Sequence, residues 1–233
     1  MARAAARAAR NLDAPRSPAN IGGMKREKIE ALFAKLKAQN PEPKGELEYV
    51  NHFTLLVAVV LSAQATDAGV NKATKSLFNH VKTPQQMLDL GIEKLTDYIK
   101  TIGLYKGKAK NVIALSQMLV EKHGGRVPRT MEQLIELPGV GRKTGNVVLN
   151  IAYGEPTMAV DTHVFRVSNR TKLAPGRTPE EVEEKLLKVV PQEYRQHAHH
   201  WLILHGRYIC KARFPECARC PIYNECEFRE KTA

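Results

Sequence analysis

Between Thr130 and Asn150 the sequence dictates where one helix stops and the next begins. Thr130-Met-Glu-Gln133 has the spacing of a capping box, which predicts a short helix from Met131 to about Glu136. Leu137-Pro-Gly-Val-Gly-Arg-Lys-Thr-Gly145 follows, and its proline and closely spaced glycines make a turn too tight for most side chains. Arg142 then opens a second helix that carries Asn146-Val-Val-Leu-Asn150. A hairpin of this kind can bring the backbone N–H groups around Gly139, Val140, Gly141 and Arg142 against a phosphate. Gly-x-Gly alone is a weak signal, because most such turns only connect helices. Lys143 adds information. It falls in the first turn of the second helix, where the positive end of the macrodipole works against a charged amine, and Arg142 beside it adds like-charge repulsion. An amine is a nucleophile only when it is unprotonated, so this is a place where a lysine can do covalent work. A solvated lysine on a surface helix is the plainer alternative.

The rest of the chain reads as helical. Lys25–Asn40 is amphipathic, with Ile29, Leu32, Phe33 and Leu36 at helical spacing and Pro41 and Pro43 beyond. Asn51–Ala65 is apolar enough to be buried on most sides, and Asp67–His80 is the next helix. Thr83-Pro-Gln-Gln86 opens a helix that stops at Gly91; Glu93–Ile102 and Gly107–His123 follow. Further helices cover Thr162–Arg170, Pro179–Val190 (capped by Thr178, with Glu181 at its third position) and Gln196–Tyr208. No segment sustains a period-two alternation, so the fold class is all-α. Residues 1–23 are rich in Ala and Arg, then in Pro, Gly and Asn, and hold four arginines against one acid; they read as a flexible basic tail. The tail slightly resembles a transit peptide but nearly lacks hydroxylated residues, and Met24 is an alternative start.

A net charge of +12 and a pI near 9.6 call for a polyanionic partner, either a nucleic acid or a membrane surface. The longest apolar run, Leu55–Leu61, is too short to span a bilayer, so no membrane partner is expected through it. All four cysteines fall between Cys210 and Cys226, as Cys210-x6-Cys217-x2-Cys220-x5-Cys226. That clustering suits a metal centre better than a disulfide framework, and with no secretory signal it predicts a cytoplasmic protein. By spacing alone, tetrahedral zinc and an iron–sulfur cluster both remain open. Lys211, Arg213 and Arg219 interleave these cysteines, either for solubility or for phosphate contact. Asp161, in Val160-Asp-Thr-His163, reads first as a helix N-cap, and otherwise as a carboxylate facing Lys143. His163, His199, His200 and His205 read as structural hydrogen-bonders.

Taken together, Leu137–Asn150 with Val160-Asp-Thr-His-Val164 resembles the signature of the helix-hairpin-helix DNA glycosylases, and in particular the bacterial endonuclease III group. The resemblance runs from about Met24 to Cys226, through Leu61-Ser-Ala-Gln-Ala-Thr-Asp67, Ile102-Gly-Leu-Tyr105, His199–Arg207 and the cysteines. It implies a two-domain helical glycosylase fold: a six-helix barrel at 45–156, with the hairpin at 131–153, and a cluster domain of 24–44 plus 157–233. It further implies a monomer that acts on double-stranded DNA containing damaged bases or AP sites. Lys143 would be the nucleophile and Asp161 its anionic partner. Cys210, Cys217, Cys220 and Cys226 would hold one [4Fe–4S] cluster, with Lys211 and Arg213 toward DNA. Gln64 and Leu104 would plug the gap left by a flipped nucleotide; an apolar tip at Leu104, followed by Lys108 and Lys110, suits a wedge. A hydrophobic contact closing a helix end is the alternative for Leu104.

The implied activity is that of a bifunctional DNA glycosylase and AP lyase on oxidised pyrimidines. A monofunctional mismatch glycosylase and a non-catalytic DNA-binding iron–sulfur protein are the competing readings, and Lys143 with Asp161 argues against both. Gly145 departs from the family pattern, where alanine is common, and a mid-helix glycine is expected to soften the hairpin.

Overall fold

A computed structural model describes residues 23–232; the basic tail expected at residues 1–23 lies, but for its last residue, outside them. Among the described residues all regular structure is helical. The helices are α1 (Arg26–Gln39), α2 (His52–Leu61), α3 (Asp67–Thr74), α4 (Leu77–His80), α5 (Pro84–Ile99), α6 (Tyr105–His123), α7 (Met131–Ile135), α8 (Arg142–Tyr153), α9 (Thr162–Thr171), α10 (Pro179–Val189) and α11 (Arg195–Tyr208). Short 3-10 turns occupy Gln192–Tyr194 and Cys217–Arg219.

Helix α2 is the axis of the first core. Every side chain from Phe53 to Leu61 is buried, as its unbroken apolar run requires, and it packs against α8, α6 and α3. Leu77, Met87, Leu95, Ile99, Val112, Leu115 and Leu134 close around it. A second core joins α1 to α9–α11: Leu32, Phe33 and Leu36 meet Val164, Val167, Leu186 and Leu202, and Phe33 stacks on Tyr194 at 5.6 Å. Leu55, Val59, Val147 and Ala159 form a small apolar seam of their own that links α2 and α8 to the strand of chain leading into α9.

Caps set the boundaries. Thr83 and Gln86 complete a reciprocal capping box at α5, and Thr178 caps α10. At α7 only half of the expected box forms: Thr130 accepts from the Gln133 N–H, while the Gln133 amide turns to the Thr130 hydroxyl. The single helix expected over Asp67–His80 is broken at Lys75-Ser76, just after the Thr74 hydroxyl donates to the Val70 carbonyl, a back-bond that bends helices. Gly91, at φ 80° and ψ 162°, interrupts α5 where the sequence places a stop. Helix α2 ends at Leu61, and Ser62–Ala65 continue as tight turns that carry Gln64 into the left-handed region.

Candidate active site and cysteine centre

The hairpin turn is built by close approach. Gly139 has φ 80°, and a Cβ there would stand 2.9 Å from the Asn111 side chain, so only glycine fits. The Val140 N–H is spent on the Leu137 carbonyl and its side chain is buried, which makes Val140 the residue that holds the turn. Gly141 caps α8 with no side chain in the way, leaving the amides of the first turn open. Arg142 is committed elsewhere: its guanidinium forks onto buried Glu183 of α10, at 2.9 and 2.8 Å, and that pairing raises its pKa. Gly145 faces α7. A Cβ on it would come within 2.6 Å of the Met131 sulfur, so the glycine is the seat of a thioether rather than a soft point in the hairpin.

Lys143 and Asp161 come from different cores and line the same cavity, about 500 Å³ in volume. Lys143 sits at the start of α8 and is exposed; Asp161 stands at the N-terminus of α9, half-buried. Asp161 is an N-cap: its Oδ1 accepts from the N–H groups of His163 and Val164, both at 2.8 Å. Both bonds go to one oxygen. The capping role therefore fixes the carboxylate in place and leaves Oδ2 for the cavity.

The opposite wall is α11. His199 is fully buried with no partner at either ring nitrogen among the described residues, and its ring lies 3.9 Å from that of His200, whose Nδ1 likewise finds none there. Burial first, then the neighbouring His200, Lys143 and His197, hold His199 well below the ordinary imidazole value; burial pushes His200 to about 4. Both rings are neutral at pH 7, and the expectation that they are structural hydrogen-bonders is not met among the described residues. Arg207 closes the far end, donating to Asp67 Oδ2 at 2.9 Å and pairing with Glu46. Glu46 escaped the sequence reading, and Asp67, His199 and Arg207 entered it without a place in the cavity, because the four converge from three separate stretches.

Gln64 and Leu104 lie on adjoining loops. A Cβ on Gly103 would stand 3.8 Å from the Gln64 carbonyl, and both residues line a second pocket of about 550 Å³. Both hold left-handed backbone, φ 53° and 60°. Leu104 is 66% exposed, which removes the alternative of a contact closing the preceding helix. Lys110 is a surface cation, as the wedge reading asks, but Lys108 is buried.

Cys210 follows α11, Cys217 and Cys220 bracket the second 3-10 turn, and Cys226 lies beyond it; all four are half-buried free thiols. They converge, since Cys226, Cys210 and Cys217 all act electrostatically on Cys220. Burial pushes the Cys220 thiol up to about 11, so a bound metal would have to displace its proton. Among the described residues no group of three or more His, Cys, Asp or Glu is close enough to hold a single metal ion. Arg170 donates to the Cys210 sulfur at 3.7 Å, and His205 Nε2 stands 3.7 Å from that of Cys220. Lys211 and Arg219 both pair with Glu216, while Arg213 is exposed and makes no ion pair among the described residues.

A family model for the HhH-GPD superfamily of base excision DNA repair proteins matches residues 57–192. The chain belongs to that superfamily. Within it, the chain is 58% identical over 207 residues to endonuclease III of Haemophilus influenzae, covering 89% of this chain and 98% of the relative. It is 56% identical over 208 residues to endonuclease III of Escherichia coli K12, covering 89% and 99%. These place it in the endonuclease III group. Its structure superposes on a trapped endonuclease III–DNA covalent intermediate with a TM-score of 0.82 at 44% identity, covering 88% of this chain and 96% of that one. A thermostable thymine-DNA glycosylase, 23% identical, shares the HhH-GPD fold at a TM-score of 0.78.

Proposed function

We propose that this protein is a bifunctional DNA glycosylase and AP lyase that removes oxidised pyrimidines from duplex DNA, with Lys143 as its nucleophile. The observation that carries the reading is the placement of an amine at the start of α8 and a carboxylate at the start of α9 on one cavity. Membership of a base excision repair superfamily supports it, as does the covalent DNA intermediate trapped for a 44% identical relative.

The chemistry follows from those two groups. The damaged base leaves the anomeric carbon with the electrons of the glycosidic bond and takes up a proton. Positive charge then builds on the sugar, and the free Oδ2 of Asp161 faces it from a partly enclosed site, where an anion is worth most. The Lys143 amine bonds to that carbon and loses a proton, and ring opening yields an imine. Protonated, the imine acidifies the adjacent C–H; loss of that proton expels the 3′ phosphate and nicks the strand. Hydrolysis returns the amine. His199 and His200, both neutral, add no positive charge beside Lys143, and Arg207 at the far end of the cavity is paired with Asp67 and Glu46.

The DNA-facing surface comprises the Gly139–Arg142 turn, the Gln64 and Leu104 loops, and Lys211 and Arg213. With Arg142 forked to Glu183, the phosphate contact of the turn falls to the amides of Gly139 and Gly141 and the first turn of α8. A division into a barrel at 45–156 and a cluster domain of 24–44 plus 157–233 is supported by the two apolar cores. Cys210, Cys217, Cys220 and Cys226 would hold one [4Fe–4S] cluster, for which four convergent free thiols are a fitting donor set. When bound, the cluster supplies a cross-link, and no step of the reaction uses its redox chemistry.

Incubating the protein with duplexes that each carry one defined oxidised pyrimidine tests the reading. Base release coupled to a nick 3′ to the lesion is expected. Base release with the strand intact would favour the monofunctional alternative, and binding with neither outcome would favour the non-catalytic one.

A further inference from the structure

A concavity of about 860 Å³, with no part in the chemistry above, lies where α2 begins and α8 ends. There the His52 ring meets the Tyr153 ring edge-on at 5.0 Å, so the start of one helix packs beside the end of the other. The hairpin turn stands at the opposite end of α8. At 1.5 Å per residue, the twelve residues of that helix set the two ends about 18 Å apart. A duplex gripped at the turn therefore lies against the far end of the helix. Tyr49 and Ile151 line this concavity and the active-site cavity alike, so the two share a wall.

The concavity is basic. Lys82, from the lead into α5, and Arg126 and Arg129, from the connection between α6 and α7, all line it and all are exposed. No aspartate or glutamate lines it, and none of the three cations joins an ion pair among the described residues. Other surface cations find acids locally, as Arg26 does with Glu30 and Lys188 with Glu184. Like charges gathered in one hollow repel one another, and a bound anion relieves that repulsion. Arg129 is already positioned: its guanidinium lies 5.0 Å from the centre of the Tyr153 ring, whose hydroxyl donates to the Val127 carbonyl at 2.6 Å.

The rest of the lining decides which anion fits. Phe53, Ile151 and Val50 contribute apolar surface, and Val50 is 58% exposed. A bare phosphate would use the cations and leave that surface in water. An occupant that uses both carries negative charge around an apolar group, as does a peptide with carboxylates on either side of an aromatic side chain. We propose that the concavity is a docking site for an acidic segment of a partner protein. Its carboxylates meet Lys82, Arg126 and Arg129, and its apolar side chain packs on Val50, Phe53 and Ile151. The partner engages this protein while DNA occupies the hairpin face.

The test is fluorescence anisotropy of the full chain, in about 0.15 M salt, where charges some 18 Å apart are largely screened. One labelled peptide is Gly-Asp-Asp-Phe-Asp-Asp-Gly, and a second has serine in place of its phenylalanine. The wild type should bind the phenylalanine peptide at least about threefold more tightly than the serine peptide. Arg126→Glu should weaken the phenylalanine peptide about tenfold, with Lys82→Glu as a second reversal. Val50→Ser should weaken it about threefold and leave the serine peptide unchanged. Lys75→Glu, the same charge change at an exposed lysine outside the lining, should alter neither by more than about twofold. All four changes are at exposed positions, and thermal melting checks that the variants fold. A saturating AP-site-analogue duplex should leave the peptide bound. Equal binding of the two peptides would reduce the site to a simple anion site and overturn the proposal. So would equal losses in Arg126→Glu and Lys75→Glu, displacement of the peptide by the duplex, or no binding of either peptide.

Discussion

In the α2–α8 core a single helix buries every side chain from Phe53 to Leu61, and its neighbours close around it through short connections. In the core of α1 and α9–α11, by contrast, the chain leaves the last helix and runs from Ile209 to Thr232 with one buried apolar side chain, Ile222. Ordering each residue costs roughly 1–2 kcal/mol of backbone entropy, and burying one isoleucine returns about 1.5–3 kcal/mol. The ion pairs that tie this stretch to α1, Lys35–Glu225 and Lys28–Glu227, are partly exposed and contribute about 1 kcal/mol each at most. Packing holds the first region. The second needs a cross-link, and the four thiols are the groups placed to make one. Lys143 belongs to the first and Asp161 to the second, so the geometry of the active site depends on the weaker region.

Cys220→Ser should break the balance most. We expect loss of the cluster and a destabilisation of several kcal/mol, on the scale of a structural metal site. Hydrogen exchange should speed up through α9 and α11 while α2 keeps its protection. Simultaneous loss of protection in α2 and α11 would show that the two regions do not differ in what holds them.

Acid should act in the same direction but more gently. His199 and His200 are held neutral in the fold, below the ordinary imidazole value, so the unfolded chain binds the extra protons. Stability is then fully present above about pH 6.5 and falls as the pH drops below it, by up to about 1.4 kcal/mol per pH unit for each ring. For His200 the loss continues until about pH 4. Urea midpoints measured from pH 7.5 to 5.5 should decline, and His200→Asn should flatten the decline. A midpoint that rises toward pH 5.5 would contradict this.

Gly145→Ala, in the first region, should do least. Alanine gains about 1 kcal/mol in helix propensity but meets the Met131 sulfur, a movable chain end, so the net change should stay within about 1 kcal/mol. Thermal melting of Gly145→Ala, alone and with Met131→Ala, separates the terms: the double variant should recover whatever the contact costs. A large loss in the single variant would mean that α7 and α8 cannot adjust.

Much of the fold was legible because its signals are local. The caps at Thr83 and Thr178, the stop at Gly91 and the apolar run of α2 each act within a few residues. Lys143 and Asp161 were legible for the same reason, each standing at a helix start that its own neighbours define. What escaped depends on distant partners. Arg142 finds Glu183, 41 residues away, and Arg207 reaches Asp67 across 140. Lys108 reads as a surface charge until α6 is seen to turn it inward, and the partnerless nitrogens of His199 emerge only once α11 is packed. Gly145 reads as a weakness until Met131 is placed against it.

Borohydride trapping on duplex DNA with a single AP site tests the central claim most directly, comparing wild type with Lys143→Gln. The amide keeps the reach of the side chain but has no basic lone pair, so it cannot form an imine. The wild type should give a covalent protein–DNA adduct. Lys143→Gln should give none and should not nick, while it still binds an AP-site analogue through the hairpin turn and the remaining cations, with a salt slope lower by about one unit at most. If Lys143→Gln traps and nicks at a rate near that of the wild type, the nucleophile lies elsewhere.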